Sequence, residues 1–264
     1  MRGRTMLKIY VYVLWFVMLA PIAITFPVAV TNTAYMTFPP IGFTLNWFKE
    51  CFRDQILAET LIRSLELAAL SATSAVVIAL LSSFAFVRKN FPGKNLVEAL
   101  FTGPRVVPLI ILVLGMLLFY HSIGLAETFW GLVFSHLVIT IPFAFRTLLA
   151  SVSSLDIQLE WSARILGANW LTMFFRVIAP QIKTGLIAAF MFTFITSFNN
   201  VTMALFLSAP GERTLPVELF MRLQVGGISP KVPAFSFILA LVGLMLLIVL
   251  DKTVGIYKYL AGEE

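Results

Sequence analysis

The chain has 264 residues, of which 59% are hydrophobic and only 12% charged, and its mean hydropathy is +0.94. A water-soluble fold carries roughly twice that share of charge, and 14% aromatic content does not suit a disordered chain. The net charge of +6 is scattered between apolar runs, which excludes a nucleic-acid face; at about 20 apolar residues per crossing, the length accommodates six membrane helices.

In chain order, the first apolar run covers residues 9–30 behind Arg2, Arg4 and Lys8. It is too long for a signal peptide and lacks a small-x-small cleavage site, so a retained crossing helix is predicted. Residues 31–60 mix Pro39, Pro40 and Gly42 with charges and read as an exposed loop with a short surface helix at 47–52. The second crossing is predicted at 65–87, stopped by the basic turn that runs from Arg88 to Lys94. The third, 106–120, is short and begins irregularly between Pro104 and Pro108. The fourth, 129–149, contains Pro142, which a crossing helix tolerates when neighbours satisfy the freed carbonyl. Residues 150–181 are polar and fit two short amphipathic helices, not a crossing. The fifth crossing is predicted at 182–207, a surface helix at 215–223, and the sixth crossing at 233–250. Cys51 is the single cysteine, so no intramolecular disulfide can form and no cysteine metal cluster exists.

Charge sets the orientation. With both termini cytoplasmic, 13 basic residues lie inside (Arg2, Arg4, Lys8, Arg88, Lys89, Lys94, Arg105, Arg146, Arg164, Arg176, Lys183, Lys252, Lys258) and 6 outside (Lys49, Arg53, Arg63, Arg213, Arg222, Lys231). The segment 150–181 is then the longest cytoplasmic loop, and a long ordered loop tends to carry function. Within it, Glu160, Ala163, Arg164 and Gly167 recur at helical spacing. Gly167 suits a helix C-terminus, and Asn169 can cap a second helix that stops before Pro180. On these residues alone, a connector lying on the membrane surface stays as open as a docking element.

The pattern Glu160-x-x-Ala163-x-x-x-Gly167, followed by Ile178-x-Pro180, resembles the coupling loop of bacterial binding-protein-dependent ABC-importer permeases. The usual Glu-Glu-Ala-Ala opening stands here as Glu160-Trp161-Ser162-Ala163. The segments around Phe38-Pro39-Pro40, Phe91-Pro92-Gly93-Lys94, Ile141-Pro142-Phe143 and Thr214-Leu215-Pro216-Val217 are similar to the second permease subunit of the spermidine/putrescine importer class. The resemblance implies an all-α membrane protein of the type I ABC-importer permease (MetI-like) fold, with six transmembrane helices. It divides the chain into a first helix and extracytoplasmic loop (1–60), a permease core (61–252) and a cytoplasmic tail (253–264). It implies that Glu160, Ser162, Ala163, Arg164, Gly167, Ala168, Ile178 and Pro180 form the ATPase-docking loop. The implied partners are a homologous second permease (a heterodimer), two ATP-binding subunits that hold ATP and Mg, an extracytoplasmic solute-binding protein and membrane lipid, all at the bacterial inner membrane.

A transport path is expected on the fifth helix, where Thr193, Thr196, Ser197 and Asn200 fall on one helical face with Asn199 beside them. Such side chains either line a wet cavity or hydrogen-bond a neighbouring helix. Relatives of the polyamine type carry Ser-Phe-Asp-Glu where this chain has Ser197-Phe198-Asn199-Asn200. A polycation would lose two favourable charges there, so a zwitterionic, neutral or anionic solute fits better. Arg63 and Glu66 read as a snorkelling pair, Glu98 and Arg105 as interface residues, and His136 as a packed, hydrogen-bonded histidine. No P-loop, metal-ligand set or nucleophile triad is present in the sequence, so no enzyme activity is expected and the energy for transport must come from a partner. The competing reading is a self-contained secondary transporter of a small polar solute, although neither internal repeats nor buried midplane charges are evident.

Overall fold

The structure is a computed structural model and describes residues 2–224 and 229–254. The 253–264 tail, apart from its first two residues, and Lys258 lie outside the described residues. Every described element is helical: α1 (Arg2–Ala29), α2 (Asn46–Arg53), α3 (Gln55–Arg88), α4 (Lys94–Thr102), α5 (Leu109–Ile123), α6 (Phe129–Ser153), α7 (Ile157–Ile165), α8 (Trp170–Met173), α9 (Ala179–Gln181), α10 (Lys183–Phe198), α11 (Val201–Leu207), α12 (Leu215–Gln224) and α13 (Lys231–Val254). Three of them are long and apolar enough to cross a membrane: α1 over Met6–Ala29, α3 and α6. Two bent pairs, Lys94–Arg105 with Leu109–Ile123 and Trp170–Gln181 with Lys183–Phe198, bring the number to five. The apolar part of α13, Lys231–Leu246, is shorter than these.

Several predicted boundaries move, each for a local reason. Helix α3 starts at Gln55, ten residues before the predicted crossing, because Asp54 caps it by accepting the Leu57 N–H at 3.2 Å. Its 34 residues span about 51 Å, well beyond a hydrocarbon core of about 30 Å. The third crossing gains an unpredicted prelude. Helix α4 and a tight turn at Gly103–Arg105 lie at 105° to α5, because Pro108 cannot continue the first helix. The predicted fifth crossing, 182–207, is interrupted. Asn199 closes α10, and the Asn200 side chain accepts the Met203 N–H at 2.8 Å to start α11. Helix α6, by contrast, runs through Pro142 without a break.

The chain forms two compact units. One comprises residues up to Glu59 together with Glu218–Leu250. In it α2 stands where the surface helix was predicted, held by a hydrogen bond from Trp47 Nε1 to the Thr31 carbonyl at 2.8 Å. Its polar centre is Asp54. Arg222 donates to both carboxylate oxygens, at 2.7 and 3.1 Å, while Lys231 reaches one of them at 3.2 Å. Arg222 also donates to Glu218 at 2.7 Å, and Lys231 pairs with Glu50 at 3.5 Å. The 31–60 segment is largely exposed with one short helix, as predicted, and is tied inward at two points: Thr31 is fully buried, and Cys51 is buried with its thiol on the Lys231 carbonyl. Burial pushes that thiol up to about 11.

The other unit, Thr60–Val217, carries the bundle. Ala68, Ala72, Ala75 and Ala79 put a row of small, fully buried side chains on one face of α3. Small residues let helix backbones approach where no hydrophobic effect drives packing. Phe86, Phe145 and Phe101 close the core by edge and tilted ring contacts, with centroids 4.8 to 6.5 Å apart. The predicted Arg63–Glu66 pair does not form: the Arg63 guanidinium instead faces Glu212 at 3.6 Å. Helix α12 is not a free surface helix either, since Leu215 and Val217 are buried and the Leu215 N–H donates to Ser64 Oγ at 2.7 Å.

The hydrogen bonds from Arg222 hold the Asp54 carboxyl well below its usual value of 3.8. A carboxylate depressed in the folded state contributes its stabilisation above the unfolded value, and loses it as pH falls below about 3.8. Asp54→Asn is expected to destabilise the protein by about 1–3 kcal/mol at pH 7, with the gap to wild type shrinking below pH 3.8. Thermal unfolding of both proteins in detergent across pH 3–7 checks this.

Candidate functional site

The segment following α6 is built from three local devices. Asp156 accepts the Gln158 N–H at 2.9 Å and starts α7. At the other end the Ala168 N–H reaches the Ala163 carbonyl at 3.0 Å, and the Gly167 N–H reaches that of Arg164 at 2.9 Å. This is the paired 6→1 and 5→2 closure of a helix whose next residue is left-handed, and Gly167 has φ +80°. Asn169 then accepts the Thr172 N–H at 2.8 Å and opens α8. The helix does not stop before Pro180. A widened turn at Phe174–Ile178 carries it through α9, since i→i−5 spacing removes the clash that proline makes with the carbonyl four residues back.

The two faces of α7 differ. Glu160 and Ala163 point inward; Ala163 joins Val152, Leu155, Met173, Ile178 and Ile182 in one apolar cluster. Arg88, at the end of α3, donates from Nε at 3.0 Å and from Nη2 at 2.7 Å to Glu160 Oε1. Its Nη2 also reaches the Leu155 carbonyl at 3.3 Å. The outer face presents Ser162, Arg164 and Gly167, with Ile165 and Leu166 at 85% and 87% exposed. Ala168 is half-buried, Ile178 buried and Pro180 exposed. Of the residues read from the sequence, Glu160, Ala163 and Ile178 therefore serve the inner face, and Ser162, Arg164, Gly167 and Pro180 the outer one. Arg88, Ile165 and Leu166 were missed. The signal for the last two was available, since two consecutive apolar residues off the Glu160–Ala163 face have no core to enter.

The polar stripe on α10 also divides. Thr193 is fully buried and spends its hydroxyl on the Ala189 and Phe190 carbonyls, at 2.8 and 2.9 Å. Ser197 is buried against His136 Nδ1 at 2.8 Å, joining α10 to α6. Ser197 thus ties two helices together, whereas Thr193 is bonded within its own helix. Thr196 is half-exposed and its hydroxyl bonds the Phe192 carbonyl at 2.6 Å; Asn199 is exposed and Asn200 half-buried at the α10–α11 break. Only this second set faces open space. Among the described residues no group of three His, Cys, Asp or Glu side chains could hold a metal ion.

The profile of the family described as "Binding-protein-dependent transport system inner membrane component" matches residues 75–256. The chain belongs to this family. Two curated relatives from Escherichia coli (strain K12) are similar over most of their length. The spermidine/putrescine transport system permease protein PotC is 29% identical over 219 residues, covering 81% of this chain and 83% of PotC. The putrescine transport system permease protein PotI is 29% identical over 215 residues, covering 77% and 75%. A crystal structure of a bacterial ABC transporter for import of the acidic polysaccharide alginate superposes with a TM-score of 0.70 at 15% identity, over 97% of this chain and 98% of that one. A bacterial alginate ABC transporter in complex with its alginate pentasaccharide-bound periplasmic protein gives 0.67 at 15%, over 95% and 94%. The protein is thus a multi-pass membrane permease of an ABC importer with the all-helical MetI-like fold, and not an enzyme.

Removing Arg88 strands a carboxylate that is nearly enclosed by α7 and its neighbours. Arg88→Leu is expected to cost about 3 kcal/mol, and Arg88→Leu with Glu160→Leu to recover most of that loss. Thermal unfolding of the two variants in detergent measures the difference.

Proposed function

We propose that this chain is one permease half of an ATP-driven importer in which 157–181 docks onto an ATP-hydrolysing subunit. A homologous permease would complete the path, two ATP-binding subunits would hold ATP and Mg, and an extracytoplasmic binding protein would deliver the solute. The observation that supports the reading best is the division of labour on α7. Its inner face is fixed to the end of α3 by Glu160–Arg88, while Ile165 and Leu166 stand outward with no neighbour inside the chain to bury them. An exposed apolar pair on a braced helix suits insertion into a groove on another protein. A push on α7 would pass through the ion pair to α3 and through the Ile178–Ile182 cluster to α10, the two elements an alternating-access change has to move. The proposed topology has six crossings and both termini in the cytoplasm, as the basic residues favour.

The named substrates of PotC and PotI support a small organic solute. Neutral amides at exposed Asn199 and half-buried Asn200 favour a solute with less positive charge than a polyamine. A glutamate at 200 would also give up the helix cap, so aspartate at both positions is the cleaner charge restoration. Asn199→Asp with Asn200→Asp is expected to make spermidine compete at about tenfold lower concentration for uptake into vesicles; unchanged competition would remove this pair from the path.

Docking is tested separately. Ile165→Asp with Leu166→Asp should insert normally, lose co-purification of the ATPase subunit and lose ATP-coupled uptake. Retained uptake without any ATPase would instead favour a self-contained secondary carrier.

A further inference from the structure

A groove of about 420 Å³ opens between the last turns of α3 and α7, with the Glu160–Arg88 pair in its lining. One wall is apolar, formed by Leu81 and Phe84; the rim carries Lys89 and Arg164, flanked by Trp161 and Trp170. Arg88 also lines the groove but is committed to Glu160, so the charge offered to a ligand is that of exposed Lys89 and Arg164. The apolar wall does not end at the groove. Leu81 is 62% exposed and continues, at helical spacing, into exposed Val77 and Leu70 along α3. A strip of exposed apolar side chains therefore leads into a pocket lined by cations and indoles. That order of polarity, apolar then aromatic then basic, is the profile of a membrane–water boundary.

We propose that this groove binds one anionic glycerophospholipid, with its acyl chain along Leu70–Val77–Leu81 and its phosphate between Lys89 and Arg164. The leaflet is the cytoplasmic one, which rests on the topology proposed above. A soluble phosphate ester would use the cations and leave the strip idle. The headgroup would sit between α3 and α7, the two elements that Glu160–Arg88 already joins, so membrane composition would set how firmly the loop is held.

The test is native mass spectrometry of the full chain in detergent, titrated with phosphatidylglycerol, phosphatidylcholine or glycerol 3-phosphate. Lys89→Gln with Arg164→Gln changes only exposed side chains and leaves the Glu160–Arg88 pair in place. Phosphatidylglycerol should bind the wild type with one tight site and at least tenfold more weakly the double variant. Phosphatidylcholine should bind both weakly, and glycerol 3-phosphate should not displace the lipid. Equal binding of the two lipids, an unchanged affinity in the variant, or displacement by glycerol 3-phosphate would each overturn the proposal. The readout needs neither ATPase nor uptake, so failure here is separable from failure of the docking reading.

Discussion

The ion pair between Arg88 and Glu160 ties the far end of the longest helix to a short helix that could not stand alone. Nine residues are too few for an isolated helix in water, so α7 depends on tertiary contacts. Its apolar contribution to the interior is small, chiefly Ala163. A charge-assisted contact through two N–H groups supplies direction where packing supplies little. Because both partners are largely withdrawn from water, the interaction is strict about geometry: either residue alone is a liability, and the two together define where the segment sits.

Around that anchor, the bundle economises on side-chain bulk. Alanines on α3 and the small faces of α10 allow close approach, and hydroxyls bond mostly to carbonyls on their own helix, as Thr193 and Thr140 do. His136 with Ser197 instead makes a buried cross-helix bond, which sets the rotation of α10 against α6. The break at Asn199–Asn200 follows directly beyond it, so the two amides are held at a fixed height relative to that pair of helices. Positioning of this kind is what a solute path requires, since a polar group on a wandering loop selects for nothing.

Much of this was legible in the sequence. Apolar runs located α1, α6 and the greater part of α3, and Gly167 and Asn169 announced the helix–turn–helix because each residue type has one conformation that it serves best. What could not be read was partnership across long separations. Arg88 and Glu160 are 72 residues apart, and Asp54 and Arg222 168; Glu160 was singled out for its motif, but nothing in the sequence gave any of the four its partner. Helix breaks were also hidden, because hydropathy averages over them. The run 182–207 is uniformly apolar apart from its polar stripe, and the interruption there is set by the capping chemistry of two asparagines. The stripe itself had the right period and a mixed meaning, because periodicity gives a face without saying what that face meets.

The widened turn at Phe174–Ile178 has a consequence for the chain's arithmetic. Met173 and Ile178 are both about 1% exposed although five positions separate them, a spacing that regular α-helix would rotate apart by roughly 140°. The extra residue in that turn is what brings both into one interior. The turn therefore holds one residue more than an ordinary helix would: loss of a single residue inside it would leave Met173 and Ile178 four positions apart, about 40° from each other, and keep both in the same interior. A one-residue deletion within the turn would thus leave the bearing of α10 as it is, whereas the same deletion in the regular part of α10 would rotate everything beyond it by about 100°.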